Sequence, residues 1–159
     1  MIDLVTKLSE LLQEKDMKLV SAESCTGGMI SVAITDVAGS SSVLDRGFVT
    51  YSNNSKEEML GVSSNILLHY GAVSSQCADA MVLGALNNSP ADIAVSVTGI
   101  AGPGGAREGK PVGLVYIGIC VRGKEPVITE NHFSGDRNVI RKSACEKALS
   151  LLIEAALAV

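Results

Sequence analysis

KLVSAESCTGGMISVAITDV, residues 18–37, decides the fold class. Lys18–Ala22 reads as a short strand, Glu23–Gly28 as a turn, and Met29–Val37 as a helical run. Alternation of this kind continues on both sides. Residues 2–15 set Ile2, Val5, Leu8, Leu11 and Leu12 at helical spacing. Downstream, Gly39–Ser42 is a loop, and Arg46–Asn54, rich in β-branched and aromatic residues, is a strand. Asn53, Asn54 and Ser55 are N-cap candidates for a short helix over residues 56–60. Helices follow at 63–70 and 75–86, then an apolar strand, 91–99, that reads as buried on both faces. Ile100–Pro111 is a loop rich in glycine and proline. VGLVYIGICVRG and EPVITENHFSG are two strands joined as a hairpin at Gly123-Lys124, and a last helix starts near Asp136. Alternation ending in a hairpin predicts an α/β fold in one domain over 1–159, with a mixed sheet and helices on both faces.

The bulk properties narrow the function. The chain has 159 residues, a formal net charge of −4, 47% hydrophobic and 19% charged residues, and a mean hydropathy of +0.31. That is enough for one core without staples and too apolar for disorder. Aromatics are 3% and the isoelectric point is near 5.1, which argues against a nucleic-acid partner. No apolar run reaches the roughly 18 residues a membrane span needs. The first residues mix charges into an amphipathic pattern unlike a signal peptide. Cys25, Cys77, Cys120 and Cys145 form no CxxC pair, so reduced thiols in a cytoplasmic protein are expected. With only His69 and His132 to add, no metal site and no cofactor are expected.

One motif is a decoy. Gly104–Lys110 satisfies G-x-x-x-x-G-K, but Pro111 stands where a magnesium-binding Ser or Thr belongs, and a strand follows instead of a helix. The turn after the first strand is more informative. Ser24 ends the strand and Thr26-Gly27-Gly28 opens a helix, whose first N–H groups lack internal partners. A serine there has an oxyanion hole at hand, as at a nucleophile elbow, although a capping Ser or Thr is the commoner reason for such residues. Its base would be Lys56, made neutral by position at a helix start, with Tyr51 relaying a proton or holding the amine. A solvated lysine paired with Glu58 is the plain alternative. Arg137, Arg141 and Lys142 crowd the first turns of the last helix, where cations oppose the macrodipole, and so suggest an anionic ligand or a basic outer face.

AESCTGG (22–28), RGFVTYSNNSK (46–56), GAVSS (71–75), VTGIAGPGGAREGKPVG (97–113) and FSGDRNVIRKSA (133–144) together resemble the CinA C-terminal domain family, in order and over nearly the whole chain. The resemblance implies a three-layer α/β/α sandwich on a mixed, mostly parallel five-stranded sheet. It implies hydrolysis of nicotinamide mononucleotide to nicotinic acid mononucleotide and ammonia, in pyridine nucleotide salvage, by a homodimer. It puts the catalytic serine on Ser24 and the tyrosine and lysine on Tyr51 and Lys56. The N–H groups of Cys25, Thr26, Gly27 and Gly28 are then the oxyanion donors. Ser40, Ser41, the loop Thr98, Gly99, Ile100, Ala101, Gly102 and Gly105, and Arg137 are expected to bind substrate, with the phosphate at one of these three places. Longer family members carry an N-terminal domain with a pyrophosphatase activity, to which the resemblance here does not extend. Two other readings compete. One is a non-catalytic ligand-binding module of the competence and damage-inducible type. The other is a reductase with a Tyr/Lys pair, which the spacing from Tyr51 to Lys56 and the missing dinucleotide loop disfavour.

Overall fold

The computed structural model describes residues 1–159 in full. Six helices surround one five-stranded sheet. The strands are β1 (Leu19–Glu23), β2 (Leu44–Val49), β3 (Ile93–Gly99), β4 (Leu114–Val121) and β5 (Val127–His132). The helices are α1 (Ile2–Glu14), α2 (Met29–Thr35), α3 (Asn53–Leu60), α4 (Ser64–Tyr70), α5 (Ser75–Asn87) and α6 (Arg137–Leu157). Strand order is β2-β1-β3-β4-β5, with β1 parallel to both neighbours and β4 and β5 joining antiparallel. The mixed sheet is thus the one expected, although its pairs divide evenly between parallel and antiparallel.

Period-two alternation splits the core into two layers. Leu19, Val95, Val97, Val115 and Ile117 pack with α1, α2 and α6, burying Leu8, Leu12, Ile30, Ile140 and Leu149. Val20, Ala22 and Ala94 face the other way, against Leu60, Leu67, Met81 and Val82 of α3, α4 and α5. All five residues of β1 are buried, as suits a central strand covered on both sides.

The element ends differ from the sequence expectation in ways that bear on the site. The second strand stops at Val49 instead of Asn54, and α3 starts three residues early. The cause is local: Ser52, and not Asn53, Asn54 or Ser55, is the N-cap, and Ser52 and Ser55 exchange side-chain and backbone bonds in a reciprocal capping box. Residues 40–42 form a single 3₁₀ turn.

Chain order leaves β1 toward β2 on one side and returns to β3 on the other. The C-terminal ends of β1 and β3 therefore flank a topological switch point, where open α/β sheets form their crevice.

Candidate active site

Ser24 follows β1 directly, its N–H bonded to Val97 O, and its side chain points to the same layer as Val20 and Ala22. Lys56, the fourth residue of α3, reaches into that layer and is 1% exposed. Its Nζ lies 3.0 Å from Ser24 Oγ, 2.8 Å from Thr50 O and 3.4 Å from Tyr51 O. No carboxylate pairs with it. Burial pushes the amine below its ordinary value of 10.5. Cys77 and Cys25 oppose that shift only as thiolates, and burial raises both thiols to about 11, so neither is charged at neutral pH. A neutral amine has two N–H donors and one lone pair. Nζ donates to the two carbonyls and to the hydroxyl as an ammonium; once deprotonated, it keeps two donors for the carbonyls and has a lone pair free for the Ser24 hydroxyl proton.

The turn beyond Ser24 is tied from two directions. Ser24 O accepts from Gly27 N–H, while Cys25, Thr26 and Gly28 N–H find no oxygen acceptor in the chain. Gly27 and Gly28 have φ of 58° and 100°, which favours glycine at both. Arg141 of α6 donates through Nε to Cys25 O at 3.0 Å and through Nη2 to Thr26 O at 3.1 Å. In a trans peptide the C=O and the following N–H point in opposite directions. Drawing Cys25 O toward α6 therefore turns Thr26 N–H away from it. Beyond the expected oxyanion donors, the first turn of α2 is capped from β1: Glu23, fully buried, accepts from Ile30 N at 2.9 Å and Ser31 N at 3.2 Å. Glu23 caps a helix and does not touch Lys56.

A cavity of about 240 Å³ opens over Ser24 and Lys56. Thr98, Gly99, Ile100, Ala101, Gly102, Gly104 and Gly105 wall it along the end of β3, with Ala72 and Val73 opposite and Tyr51 and Arg137 at the side. Gly99 sits so close to β4 that a Cβ would lie 2.7 Å from Leu114 O. Thr98 Oγ1 donates to Ala72 O at 2.8 Å and so ties the two walls together.

Residues 2–156 match the CinA C-terminal domain. This chain belongs to that family. A relative from Enterobacter agglomerans, named nicotinamide-nucleotide amidohydrolase PncC, is 49% identical over 89% of this chain and 87% of its own length. A protein of the same name from Escherichia coli K12 is 43% identical over 96% of this chain and 92% of its own. Other CinA proteins are longer. A Caldicellulosiruptor bescii relative is 54% identical over 89% of this chain, which spans only 34% of that protein. Among solved structures, a competence/damage inducible protein from Agrobacterium tumefaciens superimposes with a TM-score of 0.94 at 44% identity, covering 96% of this chain and 93% of that one.

Seen on the CinA fold, the expected site residues divide. Ser24, Cys25, Tyr51, Lys56, Thr98 to Gly102, Gly105 and Arg137 meet at one cavity. Ser40 and Ser41 do not. Their turn precedes β2, beside Leu19, at the opposite end of β1 from Ser24, where Lys18 Nζ donates to Ser41 O. Gly27 N–H is also spent, on Ser24 O. The Tyr51 phenol accepts from Arg137 Nη2 at 3.0 Å, so it is the Tyr51 carbonyl that meets the amine. Arg137 Nη1 donates to Gly102 O at 2.8 Å. Arg141, Ala72 and Val73 were not expected as site residues. Arg141 stood in the basic cluster of α6, but its partners lie more than a hundred residues away in sequence.

Proposed function

We propose that this protein is an amidohydrolase of nicotinamide mononucleotide, releasing ammonia and leaving nicotinic acid mononucleotide, through Ser24 as nucleophile and Lys56 as its base. The observation that carries the reading is a desolvated amine 3.0 Å from a serine hydroxyl at the floor of an open cavity. The two full-length relatives named for this activity support the substrate.

In this mechanism the Nζ lone pair takes the Ser24 proton as Oγ bonds to the carboxamide carbon. The carbonyl oxygen becomes an oxyanion facing the unpaired N–H groups of Cys25 and Thr26. The Lys56 ammonium, held by Thr50 O and Tyr51 O, returns its proton to the departing nitrogen, and ammonia leaves. Water then gives a proton to the same amine and attacks the acyl-enzyme, and the acid and free Ser24 are restored. The Tyr51 phenol and Arg137 form a wall of the substrate site in this scheme, with Thr98 and the glycine loop as the other. The reading includes a cytoplasmic homodimer that requires neither metal nor cofactor, and light scattering after gel filtration tests the assembly.

Ammonia release from nicotinamide mononucleotide is the deciding assay. The Ser24→Ala variant should fold with an unchanged melting curve and lose at least about 10³ in kcat. A variant that melts normally and still deamidates at the parent rate would remove Ser24 from the chemistry.

A further inference from the structure

The rejected motif Gly104–Lys110 leaves two cations unexplained. Arg107 and Lys110 close a tight turn by mutual backbone bonds, Arg107 N to Lys110 O and the reverse, both 2.9 Å. Both side chains line a second cavity of about 160 Å³, together with Asn53, Leu67, Gly71, Ala72, Val73, Ile100 and Gly105. Ala72, Val73, Ile100 and Gly105 also line the cavity over Ser24, so one ligand can run through both. Neither cation makes an ion pair, although the chain is acidic overall. The Arg107 guanidinium has no partner at all, and Lys110 Nζ donates to Tyr70 O alone. The N–H groups of Gly104 and Gly105 along the same wall have no acceptor in the chain either. Arg137, the other cation at the reaction cavity, is already engaged with Gly102 O and the Tyr51 phenol.

The geometry points to Arg107 and Lys110 as the subsite for the substrate's phosphomonoester, one cavity away from the bond that breaks. This rests on the amidase reading for the substrate, but the anion site itself does not. A phosphate there meets a guanidinium fork, an ammonium and free glycine amides, the donor set phosphates take. The arrangement would favour nucleotides over their nucleosides without touching the reacting carboxamide.

The probe is ribose 5-phosphate, titrated against the intact protein by calorimetry and as an inhibitor of deamidation. Arg107→Gln/Lys110→Gln should weaken its binding roughly tenfold and raise KM for the mononucleotide by a similar factor at nearly unchanged kcat. Turnover of nicotinamide riboside, which lacks the phosphate, should be unaffected. Lys124→Gln, on the turn after β4 at the far end of the sheet, controls for net charge. Because Lys110 also holds Tyr70 O, Arg107→Gln alone is the second variant, expected to show the same selectivity in smaller measure. Equal losses for nucleotide and riboside, or ribose 5-phosphate binding that only Arg137→Gln abolishes, would overturn the assignment. A parent protein that releases no ammonia yet binds ribose 5-phosphate through these two residues would sink the amidase reading and leave the anion subsite standing.

Discussion

A lysine folded into an apolar layer makes chemistry and stability respond to pH together. In the unfolded chain the Lys56 amine titrates near 10.5, and in the folded protein burial sets it lower. Between the two values the unfolded chain holds a proton that the folded one lacks, so stability rises with pH across that window and is flat below it. Unfolding free energies from denaturant titrations, compared from neutral pH up to about 10, should rise for the parent relative to Lys56→Met with a slope approaching about 1.4 kcal/mol per pH unit. Over the same range kcat/KM should increase as the amine loses its proton, levelling above the lowered pKa. Arg141 acts through its neighbours. Arg141→Lys keeps the charge but cannot bond both Cys25 O and Thr26 O in the same fork. Its kcat should fall about ten- to a hundredfold with KM nearly constant, the pattern of a misaimed oxyanion donor. A rise in KM with kcat unchanged would leave Arg141 outside this role.

At the scale of elements, the decisive fit is α3 against α5, because α3 carries the amine. Gly84 of α5 lies under the end of α3, where an added Cβ would come within 2.0 Å of Leu60 O. Gly84→Ala must push α3 outward. It should destabilise the fold by about 2 kcal/mol or more and lower kcat, since Lys56 moves with its helix. Chemical denaturation and ammonia assays on one preparation test both. Such fits also mark the limit of what the sequence discloses. The β1 turn was legible because paired glycines before a helical run mark a strand-to-helix turn, although a capping role for Ser24 fits the same signal. The start of α3 was misread by three residues, because Ser52 and Ser55 form a capping box with serine in the place usually held by Glu or Gln. Ser40 and Ser41 lie away from the cavity for another reason. A loop's polarity says nothing about the end of the sheet to which it returns, and that depends on β2 pairing parallel to β1. Arg141 was legible as a cation, but its two carbonyl partners are a matter of long-range packing.

Across the whole molecule, the candidate site residues gather at one end of the sheet. Ser24 and the glycine loop follow the two central parallel strands, while the β4–β5 turn lies at the other end. The core beneath holds all four cysteines buried and unpaired. Burial raises Cys25 and Cys77 to about 11 and Cys145 to about 12. Thiol reagents at mildly alkaline pH should therefore label Cys77, Cys120 and Cys145 of the native protein only as fast as it opens, whereas Cys25 borders the cavity and is held back chiefly by its raised pKa. Prompt reaction of any of those three thiols in the folded protein would show the core to be looser than its packing indicates.

An amine held below its ordinary pKa by burial is also a target. Lysines in water resist weak electrophiles because nearly every copy is an ammonium ion. Lys56 has less of that protection than a solvated lysine, and a cavity opens over it. Cyanate, which accumulates in ageing urea solutions, would add to it first and cap the nitrogen as a carbamoyl group. Under the proposed mechanism, ammonia release would then stop in stale urea while the protein stays folded.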